Sequence, residues 1–529
     1  MENVENSEQK IAHPQKILWT GLAIGLIFNW LFYGKPLGIS LLVFVVILLV
    51  ALVVFSRMER LTAVRRNLWL VVPLLFFAAM AFVRANPFLT LLNVAAALVL
   101  LAYVVFYYAA GRVEAASLLG ALVLPARVAG LSAVQTGKTT QQEVKKGSRL
   151  PRTGRNRQIV PVLRGSLLAL PLLIVFTTLF TTADLVFASM VDRLFDWNLP
   201  DLAPLFWQAF WAFVVAWLVA GGLFVAIKRA DQTTIDDHSG LEKVSAMAPM
   251  VISIGFVEMV TILTLVISLF FVFIAVQFTY LFGGLANISR TGFTYAEYAR
   301  RGFFELVAAA VFTLLLLIEL NWLTRRESKR QIKTFNLLAT LLIGCVLLLL
   351  TAAFYRMGLY ETAYGYTELR LYVYLFMLWL GALLLWFVWT LWYRPYRFAI
   401  GLIAVVIGFV ATLNLINPDA FIVKQNLAHY QETGDLDMFY LTTLSADAVP
   451  QLINAQQVIA GDAQIVTDPY CYDADEKRCE FTLEEVLQTD LKQRLVWLEE
   501  DGSGRRSHWQ AYNLAYAHAF TILQTAGES

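Results

Sequence analysis

The chain has 529 residues, 59% of them hydrophobic and 15% charged, with mean hydropathy +0.63 and formal net charge +2. A soluble globular chain carries about 45–50% apolar and about 25% charged residues, so the composition excludes an ordinary soluble enzyme. A net charge this small also argues against nucleic-acid binding, which needs a concentrated basic face.

The first 16 residues, "MENVENSEQKIAHPQK", are polar, and "ILWTGLAIGLIFNWLFYG" follows. That run is long enough to span, so it reads as a retained first helix rather than a cleaved signal. Its "GLAIG" has the GxxxG spacing that permits close helix approach. Apolar stretches of spanning length then recur at 37–56, 68–84, 88–111, 165–182, 205–227, 250–282, 302–323, 334–355, 369–392 and 398–416. With 17–34 they make about eleven spans. None alternates with period two, which argues against a β-barrel. The fold class expected is all-α: a polytopic transmembrane helix bundle over 1–416, followed by a small extracytoplasmic helical domain over 417–529. Residues 250–282 are the ambiguous case, because a helix of that length reaches about 50 Å against a hydrocarbon core of about 30 Å. A tilted or protruding single helix is the expectation, with a broken pair left open.

Lys and Arg in the connections set the orientation. With a cytoplasmic N-terminus the cytoplasmic segments hold about 26 basic residues and the short external ones about 8, a bias in the positive-inside direction. Residues 112–133 read as an amphipathic interfacial segment interrupted by Pro125, and 134–164 as a flexible basic loop near anionic lipid headgroups. "TGKTT" within that loop lacks the upstream glycine and strand of a phosphate loop. Residues 183–199 place Leu185, Phe187, Met190, Val191, Leu194 and Phe195 at helical spacing, with Asp184, Asp192, Arg193 and Asp196 on the other side. This reads as an external interfacial helix.

In the C-terminal region Thr482 and Glu485 have capping-box spacing ahead of the stripe Leu483, Val486, Leu487, Leu491, Leu495. Cys471 and Cys479 fall outside the membrane in an odd-span threading, where disulfides persist, so they are expected to pair. Two cysteines without nearby histidines do not make a zinc site, and His508 and His518 are too far apart in sequence to suggest a metal motif. No metal and no cofactor are expected.

Charges inside spans are expensive and often functional. Glu258, Glu305, Glu319 and Arg84 stand out. Glu305 and Glu319 lie on one helix face, and Glu258 and Glu319 fall at similar depths on antiparallel helices. If these two meet, they could share a proton or bind a cation. In "TYAEYARRGFFEL" the residues Glu297, Arg301 and Glu305 fall at i, i+4, i+8, so Arg301 can bridge two carboxylates, while Arg300 points toward Phe304 or a lipid phosphate. That stretch reads as a salt-bridged helix start at the outer mouth, with an anion or lipid-headgroup site as the alternative.

"YAEYARRGFFELVAAA" and "LSADAVPQL" at 444–452 resemble an uncharacterised bacterial integral-membrane family, the domain-of-unknown-function family numbered forty-one seventy-three. The resemblance covers about 290–453, together with "NPDAFIVKQNLAHYQETGDLDMFYLTTLSADAVPQL". It implies a multi-pass membrane architecture and carries no catalytic residues. Three functions stay open: a non-catalytic envelope sensor or scaffold, an ion- or proton-coupled transporter, and a membrane enzyme acting on a lipid-linked substrate at the outer face. Arg300 and Arg301 would hold phosphate in the enzyme, with Asp184, Asp201 or Glu297 as base. The expected partners are the lipid bilayer and anionic headgroups, without nucleic acid.

Overall fold

The computed structural model describes residues 11–147, 202–229, 254–282, 303–324, 326–394, 397–462, 464–472, 478–502 and 504–527. Within them the chain is a series of long helices. These are α1 (Pro14–Phe32), α2 (Ser40–Met58), α3 (Val71–Val83), α4 (Pro87–Tyr107), α5 (Leu118–Gly147), α6 (Leu202–Arg229), α7 (Phe256–Phe282), α8 (Phe303–Leu323), α9 (Lys329–Tyr364), α10 (Glu368–Tyr393) and α11 (Phe398–Ile416). Eleven helices among the described residues are long and apolar enough to cross a membrane, including α3 with its 3-10 lead-in from Arg65 and α5 over 118–143. Ten coincide with expected spans; the expected span at 165–182 lies outside the described residues.

The run at 250–282 yields one helix, α7, of 27 residues. At 1.5 Å per residue it is about 40 Å long, enough for one tilted or protruding span. The segment 112–133, expected to be interrupted at Pro125, is not broken there. A 3-10 turn at Val113–Ala115 precedes one continuous helix to Gly147, so 134–147 is helical rather than loop. Pro125 sits inside this helix without ending it. Proline cannot donate to the carbonyl four residues back, here Ala121. The buried Tyr103 hydroxyl donates to that oxygen instead, at 2.8 Å, so the freed acceptor keeps a partner. Tyr103→Phe leaves it unpaired in an apolar setting and is expected to cost about 1–3 kcal/mol; a denaturation midpoint in detergent checks this.

Among the described residues, those within 1–33, 47–62 and 126–229 form one compact unit and those within 34–46, 63–125 and 230–529 a second. The first is organised by α1 against α6. Gly21 and Gly25 of "GLAIG" both face α6, where an added Cβ would lie 2.8 Å from the Ala216 oxygen and 2.2 Å from the Ala212 oxygen. The GxxxG spacing therefore marks a real backbone contact. Gly221 allows the same closeness to Ser132 of α5, and Thr136 Oγ1 donates to the Trp217 carbonyl at 2.9 Å.

In the second unit α7, α8, α9 and α10 pack around Met259, Leu263, Leu317, Phe335, Val346 and Leu384, all buried. Burying one such side chain contributes roughly 1.5–3 kcal/mol. The C-terminal region adds α12 (Pro418–Thr433), α13 (Met438–Thr442), α14 (Val449–Ile459), strands β1 (Ile465–Tyr472) and β2 (Arg478–Thr482), α15 (Leu483–Glu499) and α16 (Leu514–Gly527). Thr482 and Glu485 form the expected capping box. The antiparallel hairpin β1–β2 is an addition to the helical reading, and the Cys471–Cys479 disulfide joins its strands. The region shares its core with the bundle: Ala85, Leu89, Leu371, Leu375 and Leu413 pack in one cluster with Ile422, Met438, Leu452 and Leu487. Its first turn is sharp because Asn417 takes a left-handed φ of 56°, which asparagine tolerates better than most residues.

Candidate functional site

The carboxylates singled out for a proton relay do not sit in the interior. Glu258, Glu305 and Glu319 are all exposed on their helices. Glu258 accepts a hydrogen bond from the Gly255 amide at 2.9 Å, which caps the start of α7 and places a negative charge where the helix dipole favours it. Glu297, Arg300 and Arg301 lie outside the described residues, as do Asp184 and Asp201. Among the described residues no group of three or more His, Cys, Asp or Glu is placed to hold a metal ion.

The buried polar residues gather elsewhere, where the α3–α4 turn "RANP" meets the C-terminal region. Arg84 ends α3 and Asn86 caps α4, its Oδ1 accepting from Leu89 N at 3.0 Å. Asp447 reaches this turn from the 3-10 turn Ala446–Ala448. Its Oδ2 accepts from the amides of Ala85 at 2.5 Å and Asn86 at 3.2 Å, and its Oδ1 lies 3.5 Å from Arg84 Nη1. Arg84 also donates through Nε to the Asn414 carbonyl at 2.9 Å. On the opposite side of the turn Asn86 Nδ2 donates to Asp419 Oδ1 at 2.9 Å and to Glu368 Oε1 at 2.5 Å. Asp419 Oδ2 accepts from Ser445 N at 3.1 Å. Glu368 N donates to the Tyr440 hydroxyl at 2.8 Å. Asn513, just before α16, donates to the Arg84 carbonyl at 2.9 Å. About two helix turns along α4 from Asn86, Asn93 and Asn414 exchange amide hydrogen bonds at 2.9 and 2.7 Å, both fully buried.

Each of these groups has a partner, as buried polar groups must. The chemistry is that of a clasp. One turn of the bundle is gripped by an Asp from each of two C-terminal segments, and a third segment holds it through Asn513. Three carboxyl groups and one guanidinium leave the cluster rich in acid. Glu368 and Asp419 share the single Asn86 amide.

Burial raises the Asp447 carboxyl above its ordinary value, against the opposing pull of the Ala85 amide and the Arg84 guanidinium. The folded state therefore holds this proton more tightly than the unfolded state does. Stability from this group is present at low pH and falls as pH climbs from the ordinary aspartate value, about 3.9, toward the raised folded value. Denaturant titrations across that window check the slope, which Asp447→Asn is expected to remove.

Of the clasp, only Arg84 stands out in the sequence as a charge in a span. Asp419 and Asp447 lie in "NPDAF" and "LSADAVPQL", the latter a stretch that carries the family resemblance, where nothing local marks an aspartate as buried. Asn93 and Asn414 could have been found as amides inside apolar runs, where an unpaired polar group is costly.

No curated protein and no solved structure matches the chain. A family model described as a domain of unknown function matches residues 71–455, a range holding Arg84, Asn86, Asp419 and Asp447. The family that matches is numbered 4153, in place of the forty-one seventy-three of the resemblance, and it is likewise a domain of unknown function. The chain belongs to the domain-of-unknown-function family DUF4153.

Proposed function

We propose that this multi-pass membrane protein is a non-catalytic sensor or scaffold, whose C-terminal region is presented outside the cytoplasm on a fixed base. The observation that carries this reading is how the buried polar residues are used. Arg84, Asn86, Asp419 and Asp447 are committed to each other across the α3–α4 turn, while the carboxylates a coupled transporter would need, Glu258 and Glu319, are exposed.

The orientation, with the N-terminus cytoplasmic, is supported by the excess of Lys and Arg on that side and by the disulfide, which persists in an oxidising compartment. Glu143, near the end of α5, accepts from Gln15 at the start of α1, while Tyr33, just past α1's far end, donates to Pro204 in α6. These contacts put the end of α5 beside the start of α1, and the start of α6 beside α1's far end.

The test is complementation in a strain lacking the protein. The double variant Glu258→Gln, Glu319→Gln is expected to restore normal growth and envelope integrity, and Asp447→Ala to fail. Loss of function in the glutamine variant, with folding intact, would support proton-coupled transport instead.

A further inference from the structure

The segment 505–514, "RRSHWQAYNL", joins α15 to α16 and is fixed to two span ends of the second unit. At the turn before α2, Ile39 N donates to the Tyr512 carbonyl at 3.0 Å, and Arg505 Nη1 donates to the carbonyls of Leu37 and Ala511. Gly38 lies so close to Ala511 that an added Cβ would come within 2.4 Å of its backbone. At the turn between α3 and α4, Asn513 binds the Arg84 carbonyl. The spans at these turns begin at Ser40 and Pro87 and end at Val83, so the segment is held at the level where helices leave the hydrocarbon.

Its side chains divide accordingly. Gln510, Ala511 and Asn513 are buried, whereas Trp509, Leu514 and Tyr512 are 53%, 45% and 42% exposed. Two amphipathic aromatics and a leucine, turned outward at a membrane boundary, are the residue types found at headgroup depth. Phe88, in the first turn of α4, is exposed as well.

We propose that Trp509, Tyr512 and Leu514 insert into the headgroup layer of the adjoining leaflet, so that the C-terminal region touches the bilayer as a monotopic surface in addition to its attachment to the helices. The occupant of this surface is lipid. Because the backbone register to Leu37, Ile39 and Arg84 is fixed, the patch stays at interfacial depth without a helix of its own in the membrane. The inference stands apart from the sensor or scaffold reading, since it needs only the spans and their contacts with 505–514.

The experiment uses the full chain in single-copy nanodiscs of mixed neutral and anionic phospholipid. Cys345, the buried free thiol, is replaced by alanine and the Cys471–Cys479 disulfide is kept. An environment-sensitive fluorophore is attached to one new cysteine at a time: Trp509→Cys, Leu514→Cys, Tyr512→Cys, and Glu480→Cys on the exposed face of β2 as the aqueous reference. The expected result is blue-shifted emission at 509 and 514, with quenching by lipid spin-labelled high on its acyl chain and loss of quenching by aqueous iodide. The label at 480 is expected to behave in the opposite way. Iodide quenching at 509 and 514 equal to that at 480 would overturn the proposal. So would shielding from iodide without any lipid quenching, which would mean that protein covers the patch. Tyr512→Cys provides a third reading if one of the other variants fails to match the parent's thermal midpoint.

Discussion

Replacing Asp447 by alanine is expected to lower the unfolding free energy by about 3–5 kcal/mol, because one partner of a buried ion pair disappears while the other stays. Arg84 keeps its bond to the Asn414 carbonyl but loses its counter-charge. The amides of Ala85 and Asn86 lose their acceptor in a buried setting, and an unmet buried donor costs about 1–3 kcal/mol. A raised carboxyl pKa does not contradict this: burial penalises the charge, yet removing the group also strands everything aimed at it. The effect is read from thermal and denaturant midpoints in detergent, together with limited proteolysis of the C-terminal region, which should become cleavable at 417–455. Glu258→Gln and Glu319→Gln, at exposed positions, are expected to stay within about 0.5 kcal/mol of the parent. An Asp447→Ala variant no less stable than these would mean that the clasp does not hold the region.

The second large effect is expected at Gly25. Alanine there places a methyl 2.2 Å from the Ala212 carbonyl oxygen and 2.8 Å from the Ala216 Cβ. Both atoms belong to the α6 scaffold and cannot rotate away, so α1 must shift. Overpacking of this kind costs about 1–3 kcal/mol, and more where two backbones are involved. Gly344 in α9 is the matched control, since an added Cβ meets nothing within 4 Å. Alanine there should stabilise the helix by about 0.4–1 kcal/mol. Opposite signs for the two substitutions, measured as shifts in the thermal midpoint, identify the α1–α6 contact as the cause. Equal shifts would remove it.

How far these features could be read from the sequence follows from their physical range. The spans were legible because a run of apolar residues is a local property, as was the capping box at Thr482 and Glu485. The disulfide was legible because Cys471 and Cys479 are close in the chain. "GLAIG" announced a close approach, but its partner, the small residues of α6, lies nearly two hundred residues away. The amphipathic stretch at 112–133 misled because Pro125 reads as an interruption, and the hydroxyl that compensates belongs to Tyr103, on another helix. The clasp was hardest. Charges inside spans drew attention to Glu258 and Glu319, which the fold leaves exposed. Asp419 and Asp447 lie in a polar region where an aspartate looks ordinary, and only tertiary contact with the α3–α4 turn buries them.

The measurement that bears most directly on a fixed, clasped C-terminal region is amide hydrogen exchange on the full chain in nanodiscs. The amides of Ala85 and Asn86 bond to Asp447, and that of Ser445 to Asp419. All three are expected to exchange as slowly as the helix cores, since only global opening should release them. Asp447→Ala should speed exchange at 85 and 86 and across 417–455 together. Rapid exchange at these amides in the parent protein, while α3 and α4 remain protected, would contradict the account.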